Sequence, residues 1–183
     1  MAINLMRGDL LRQEDVDAIV NTVNCVGIMG KGIALQFKNK WPDNFRAYEA
    51  ACKKGEVQLG RMWIFDAGGL VKPNYIINFP TKQHWRGKSK MSSIRDGLTD
   101  LVRQIKRLSI HSVAIPPLGC GNGGLNWVDA RPFIEAAFAD VPDIEVRLFE
   151  PGLDIDVKEM IVKTPRPKMT PGRAGLQKIT EAK

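Results

Sequence analysis

Short apolar runs alternate with segments of helical period from residue 3 to residue 149, and this pattern confines the chain to an α/β fold. Val16 to Val20 reads as a buried strand. Arg61 to Asp66 and Tyr75 to Phe79 read as a second and third, joined across Gly68-Gly69 and Pro73. Val113 to Ile115 and Ile144 to Phe149 complete the central set, with Ile3 to Met6 at an edge. Between them, Ile33, Phe37 and Trp41 share one helical face, as do Phe45, Tyr48 and Cys52. The clearest helix runs from Ser93 to Leu108 with Ile94, Leu98, Leu101, Val102, Ile105 and Leu108 on one stripe; Ser93 followed by Asp96 predicts a capping box at its start. Asn126 is expected to cap the last helix, and Pro132 to divide it.

The character changes after Pro151. Pro165, Pro167 and Pro171, with scattered lysines and arginines, leave little to bury, so residues 1–152 are expected to form one domain and 153–183 a basic linker or tail. Gly175 to Lys183 has the pattern of a helix that has only begun, as in a piece cut from a longer protein.

The cysteines, Cys25, Cys52 and Cys120, are odd in number and lack CxxC spacing; with only His84 and His111 beside them, they assemble no zinc site and no disulfide framework. A reducing compartment fits that usage. No charged n-region with an apolar run follows Met1, and no apolar stretch approaches the ~20 residues needed to span a bilayer, so a cytoplasmic location and no membrane partner are expected. The formal charge of +7, from 27 Lys and Arg against 20 Asp and Glu, favours polyanionic ligands.

Two glycine-rich loops come after strands. In Gly27-Ile28-Met29-Gly30-Lys31-Gly32 the glycines permit close backbone approach, and the next helix offers unpaired N–H groups; Gly30, Lys31 and Gly32 are thus candidates to cradle a phosphate or ribose. A phosphate-loop NTPase is excluded, because its motif needs Gly where this chain has Cys25 and Ser or Thr where it has Gly32. The second loop, Leu118-Gly119-Cys120-Gly121-Asn122-Gly123-Gly124, contains GxGxxG spacing, but it comes too late in the chain for a Rossmann domain. Its backbone is still suited to wrap a diphosphate.

These loops, together with Gly8-Asp9-Leu10 and the run Val16-Asp17-Ala18-Ile19-Val20-Asn21-Thr22-Val23-Asn24, resemble the macrodomain family over residues 1–152. The resemblance implies a three-layer α/β/α fold around a central mixed sheet, with ADP-ribose bound in a cleft and no cofactor. It implies that Asp9 accepts from the adenine amino group with Leu10 beside it, that Asn24 lies near the distal ribose, and that Phe149 stacks on adenine. The first loop would hold the distal ribose, and Leu118, Gly119, Cys120, Gly121, Asn122 and Gly123 the diphosphate.

Within the family, Ile77-Asn78-Phe79-Pro80-Thr81-Lys82, Gly119-Cys120-Gly121 and Leu125-Asn126-Trp127 are similar to the branch that uses a catalytic lysine. That branch includes terminal ADP-ribose protein glycohydrolases and the bacterial DNA ADP-ribosyl glycohydrolase antitoxins of the DarG type. Lys82 corresponds to its lysine. The chain departs at Gly123, where protein-directed members have a catalytic aspartate. Lys82 to Lys88 and Met169 to Ala174 look like the DNA-directed members. The resemblance implies cleavage of the N-glycosidic bond to thymidine in single-stranded DNA, and a DarT-like toxin as partner.

A lysine at the anomeric carbon can act as a neutral amine that attacks it, or as an ammonium that assists the departing base. His84, Trp85, Arg86 and Lys88 interleave cations with an aromatic, which suits a single strand of DNA. Other readings share the binding residues: a non-catalytic reader of ADP-ribose, a hydrolase of ADP-ribosylated protein, or a tail that blocks a toxin by contact.

Overall fold

The computed structural model describes residues 2–69, 71–141 and 143–152; the readings made for 153–183 lie outside the described residues. Six strands form one sheet in the order β1-β6-β5-β2-β4-β3: β1 Ala2–Met6, β2 Ala18–Asn24, β3 Trp63–Asp66, β4 Tyr75–Lys82, β5 Ser112–Ile115 and β6 Glu145–Phe149. All neighbours run parallel except β3, which is antiparallel to β4. The carboxyl ends of β2, β4, β5 and β6 therefore open on one edge, where α/β sheets hold ligands.

Helices cover both faces, giving three layers. On one side α3 (Met91–Arg107) and α4 (Trp127–Phe138) pack Ile94, Leu98, Leu101, Ile134 and Phe138 against Val20, Ile77, Phe79, Val113 and Val146. The stripe read from the sequence is the buried face of α3. On the other side α1 (Gly32–Lys40) and α2 (Pro42–Lys53) bury Phe37 and Tyr48. Asn21, Asn78 and Asn44, all fully buried, link β2, β4 and α2: Asn21 Nδ2 donates to Asn78 Oδ1 at 3.0 Å, and Asn78 Nδ2 to Asn44 Oδ1 at 2.8 Å.

Several boundaries differ from the sequence reading. Val16 is buried but not laddered, because the Asp17 side chain turns across the sheet to accept from the His111 and Ser112 N–H groups; β2 starts after it and runs on to Asn24. The third strand from the N-terminus is shorter than Arg61 to Asp66, and β4 is longer than Tyr75 to Phe79, so Lys82 ends the strand rather than lying beyond it. No capping box forms at Ser93. The helix begins two residues earlier, with Ile94 N–H already bonded to the Lys90 carbonyl and Ser93 buried. Asn126 does cap α4, accepting from Val128 N–H, but Pro132 does not divide it. The ring's missing N–H orphans only the carbonyl of Val128, a residue 74% exposed to solvent.

Candidate functional site

Asn24 closes β2 and shapes the first glycine loop. Its Oδ1 accepts from Val26 N–H at 3.0 Å and Ile28 N–H at 3.3 Å, while Nδ2 donates to the Ile28 carbonyl at 2.6 Å. From α2 the Tyr48 hydroxyl donates to the Asn24 carbonyl. This knot, an Asx turn reinforced from below, occupies the buried Asn24 amide, so Asn24 acts on any ligand through its loop. Beyond it, Gly30 is exposed and Lys31 precedes α1 without a side-chain cap, which leaves the first N–H groups of a helix facing the cleft edge.

The second loop meets the first. A Cβ on Gly32, whose φ of +58° suits glycine, would stand 2.9 Å from Asn122 Nδ2. The loop holds itself through Cys120 N–H to the Pro117 carbonyl, Gly124 N–H to Gly121 and Leu125 N–H to Gly119. Gly121, Asn122 and Gly123 donate their N–H groups to no other group among the described residues. Three adjacent free donors are the kind of group that can receive an anion. Leu118 is fully buried beneath them, and burial pushes the Cys120 thiol up to about 11.

Lys82 reaches across to this loop. It sits opposite Asn24 in the β2–β4 ladder, and its Nζ donates to the Asn122 carbonyl at 3.2 Å. Desolvation, and secondarily the Lys88 ammonium, lower its pKa from the ordinary lysine value. Such an amine can attack an electrophilic carbon or hand on its proton more readily than a solvated lysine.

Gly123 is closed to any side chain. A Cβ there would lie 2.3 Å from both the Gly119 carbonyl oxygen and the Ser89 Oγ. Ser89 had no signal in the sequence; it is buried, its N–H donates to the Gly123 carbonyl at 3.0 Å, and its hydroxyl has no partner among the described residues.

The outer residues divide. Asp9, with its carboxylate half exposed, accepts from Leu11 N–H at 2.9 Å to cap the 3-10 turn Leu10–Arg12, and Arg12 lies 3.6 Å away. Leu10 and Phe149 are both buried in one core cluster with Phe37. Phe149 ends β6 and is 3% exposed, packed in that cluster beside Leu10. His84 to Lys88 form an exposed turn with Gly87 N–H bonded to the His84 carbonyl at 2.9 Å. The Arg86 guanidinium lies 4.5 Å from the Trp85 ring centre, and the His84 ring 5.5 Å from it, which makes a stacked cation–aromatic group. Among the described residues no three His, Cys, Asp or Glu side chains converge as a metal site, and no helix is long and apolar enough to cross a membrane.

A mixed sheet between helical layers, with two glycine loops meeting over its carboxyl edge, defines a nucleotide-sugar-binding α/β domain, and the chain belongs to the Macro domain family, whose model matches residues 20–134. Its similarity runs further along the chain than that match. It is 46% identical over 177 residues to a Thermus aquaticus protein named DNA ADP-ribosyl glycohydrolase, covering 97% of this chain and 49% of that one. The solved macrodomain of Mycobacterium tuberculosis DarG superposes with a TM-score of 0.79 at 54% identity, covering 82% of this chain and 100% of that one. Thermosipho africanus DarTG, solved in complex with ADP-ribose, gives 0.73 at 31% identity over 84% of this chain and 44% of that one. The chain spans about half the length of the curated Thermus protein.

Proposed function

We propose that this macrodomain hydrolyses the N-glycosidic bond that joins ADP-ribose to thymidine in single-stranded DNA, and so serves in the cytoplasm as antitoxin to a DarT-like DNA ADP-ribosyltransferase. Residues 1–152 would carry the activity, with 153–183 a linker. The observation that carries the reading is the Lys82 amine, partly desolvated and resting on the Asn122 carbonyl where the two loops meet. The names of the Thermus protein and the ADP-ribose complex of the Thermosipho protein support it.

In this reading the free N–H groups of Gly121 to Gly123 hold the diphosphate, the uncapped start of α1 at Gly30 to Gly32 approaches the distal ribose, and Asp9 receives the adenine amino group. The bond between the anomeric carbon and the base nitrogen breaks, water supplies oxygen to the carbon, and a proton goes to the base. No cofactor is needed. Lys82 meets the reacting sugar there, as a neutral amine that attacks the anomeric carbon or as an ammonium that gives its proton to the departing base. His84, Trp85, Arg86 and Lys88 would grip the strand that carries the base.

Gly123 supports DNA over protein as the target. Any side chain at this position, an aspartate included, would bring its Cβ to 2.3 Å from the Gly119 carbonyl oxygen and the Ser89 Oγ.

The test presents the protein with an ADP-ribosylated thymidine oligonucleotide and an ADP-ribosylated protein in parallel. Release of ADP-ribose from the oligonucleotide is the expected result. Release from the protein alone would overturn the substrate, and release from neither would leave only a reader of ADP-ribose.

A further inference from the structure

The strands and loops beside Lys82 hold no acid. Residues 18–42, 67–95 and 101–128, which include β2, β4, β5 and the loops after them, contain neither Asp nor Glu. Carboxylates on neighbouring elements are engaged with their own cations: Glu49 with Lys53 at 3.0 Å, Glu150 with Arg7 at 2.8 Å, and Asp9 with Arg12 at 3.6 Å. The charged side chains on these segments are therefore cations, among them Lys31 before α1 and Arg86, Lys88 and Lys90 on the turn after β4; His84 lies on the same turn, and burial pushes up the thiols of Cys25 after β2 and Cys120 after β5. Lys31, Arg86, Lys88 and Lys90 make no ion pair among the described residues.

Two of the cations touch one stretch of backbone. Lys82 Nζ rests on the Asn122 carbonyl, while the Lys88 ammonium lies over Gly124, where an added Cβ would come within 3.0 Å of Nζ. Like charges brought together without a counter-ion repel, and the arrangement is relieved when an anion arrives. Lys88 lies beside Gly124, next to the free N–H groups of Gly121 to Gly123, on the same turn as Trp85 and Arg86. In the proposed reading the N–H groups of Gly121 to Gly123 hold the diphosphate, which leaves the Lys88 ammonium, on the Trp85–Arg86 turn, to meet a phosphate of the strand.

We propose that the phosphodiester beside the modified nucleotide docks on Lys88, and that the negative charge it brings there sets the charge carried by Lys82. This rests on the reading of the site as a DNA ADP-ribosyl glycohydrolase. It makes the polynucleotide backbone part of the catalytic electrostatics, in addition to an affinity handle. Desolvation lowers the Lys82 pKa and the unneutralised Lys88 field adds to it; with a phosphodiester in place the Lys88 part is cancelled and Lys82 holds its proton to higher pH than without it.

Two substrates separate the effects: an ADP-ribosylated thymidine oligonucleotide, and the ADP-ribosylated nucleoside, which has no phosphodiester. The variants are Lys88→Met and Lys88→Arg, at an exposed position where folding is checked by thermal melting. Lys88→Met is expected to raise KM for the oligonucleotide about tenfold, the loss of one charge-assisted contact, and far less for the nucleoside. In the wild type the Lys82-dependent limb of the pH–rate profile lies at higher pH for the oligonucleotide than for the nucleoside. Lys88→Met brings the two limbs together, and Lys88→Arg restores their separation. Equal KM changes on both substrates would overturn the proposal, as would coincident wild-type limbs. A matching loss of affinity for free ADP-ribose would assign the Lys88 phosphate to the diphosphate instead. A wild type that releases ADP-ribose from neither substrate would sink the proposed activity itself, and this inference with it.

Discussion

Lys82 Nζ, at the carboxyl end of β4, donates to the carbonyl of Asn122 at 3.2 Å, so one side chain spans from the sheet edge to the glycine loop after β5. Lys82→Ala removes the amine without touching a loop N–H group. Release of ADP-ribose from the modified oligonucleotide should fall by roughly 10²–10⁴-fold, while calorimetry with free ADP-ribose shows little change. Turnover surviving in the variant would take Lys82 out of the chemistry.

The closed space above Gly123 gives a paired test. Gly123→Ala places a methyl 2.3 Å from the Gly119 carbonyl oxygen and must displace the loop, whereas a Cβ on Gly121 meets nothing within 4 Å. Gly123→Ala should lower ADP-ribose affinity at least about tenfold and destabilise the fold by about 1–3 kcal/mol. Gly121→Ala should leave the thermal midpoint within a degree or so. Equal midpoints for the two variants would show that the loop yields freely.

Asn24 makes three side-chain hydrogen bonds within its own turn, and Tyr48 supports its carbonyl. Asn24→Ala should destabilise the domain by about 2 kcal/mol and Tyr48→Phe by about 1 kcal/mol, both with weaker ADP-ribose binding. Urea denaturation beside calorimetry checks this. Affinity untouched in both variants would mean that the first loop holds its shape without the knot.

At the opposite edge of the sheet, burial works against the Asp17 carboxylate, but the Lys72 ammonium at 2.7 Å and the His111 and Ser112 N–H groups outweigh it, and its pKa is lowered. A depressed acid stabilises the fold above its unfolded pKa, and that contribution is lost as pH falls through the folded value. Asp17→Ala should therefore destabilise by about 2 kcal/mol at neutral pH, with the gap to wild type narrowing below about pH 4. A gap that stays constant through the acid range would assign the loss to packing.

Burial pushes the Cys25 and Cys120 thiols up to about 11. This leaves roughly 100-fold less thiolate at about pH 7.5 than the unshifted thiol would have. Iodoacetamide should label both slowly in the folded protein and quickly in urea, as mass spectrometry would show. Rapid labelling of Cys120 in the folded state would mean that the second loop opens.

How much the sequence disclosed depended on how local each signal is. The α3 stripe was legible because a single helix face buries its apolar residues, and both glycine loops were legible because strand, turn and helix onset lie side by side in the chain. The true length of β2 was hidden, since Asn21, Thr22 and Asn24 are polar in a strand whose Asn21 amide donates to Asn78 on β4 and to Met29 Sδ, with Asn78 in turn bonded to Asn44 on α2. Ser89 gave no sign, because its role depends on the approach of Gly123. The packing of Phe149 was hidden too: an aromatic at a strand end fits a stacking platform and a core plug equally well, and its neighbours Leu10 and Phe37 come from distant parts of the chain.

The buried carboxamide line has a consequence for how accurately the cleft is assembled. Asn21 stands directly opposite Asn78, and further along the same ladder Asn24 stands opposite Lys82. Sliding one strand by a single position would leave amides stranded in a dry interior and turn every alternating side chain to the wrong layer. Misaligned strands are thereby penalised during folding, and the amine and the first glycine turn arrive at matching heights without either having to hold the other.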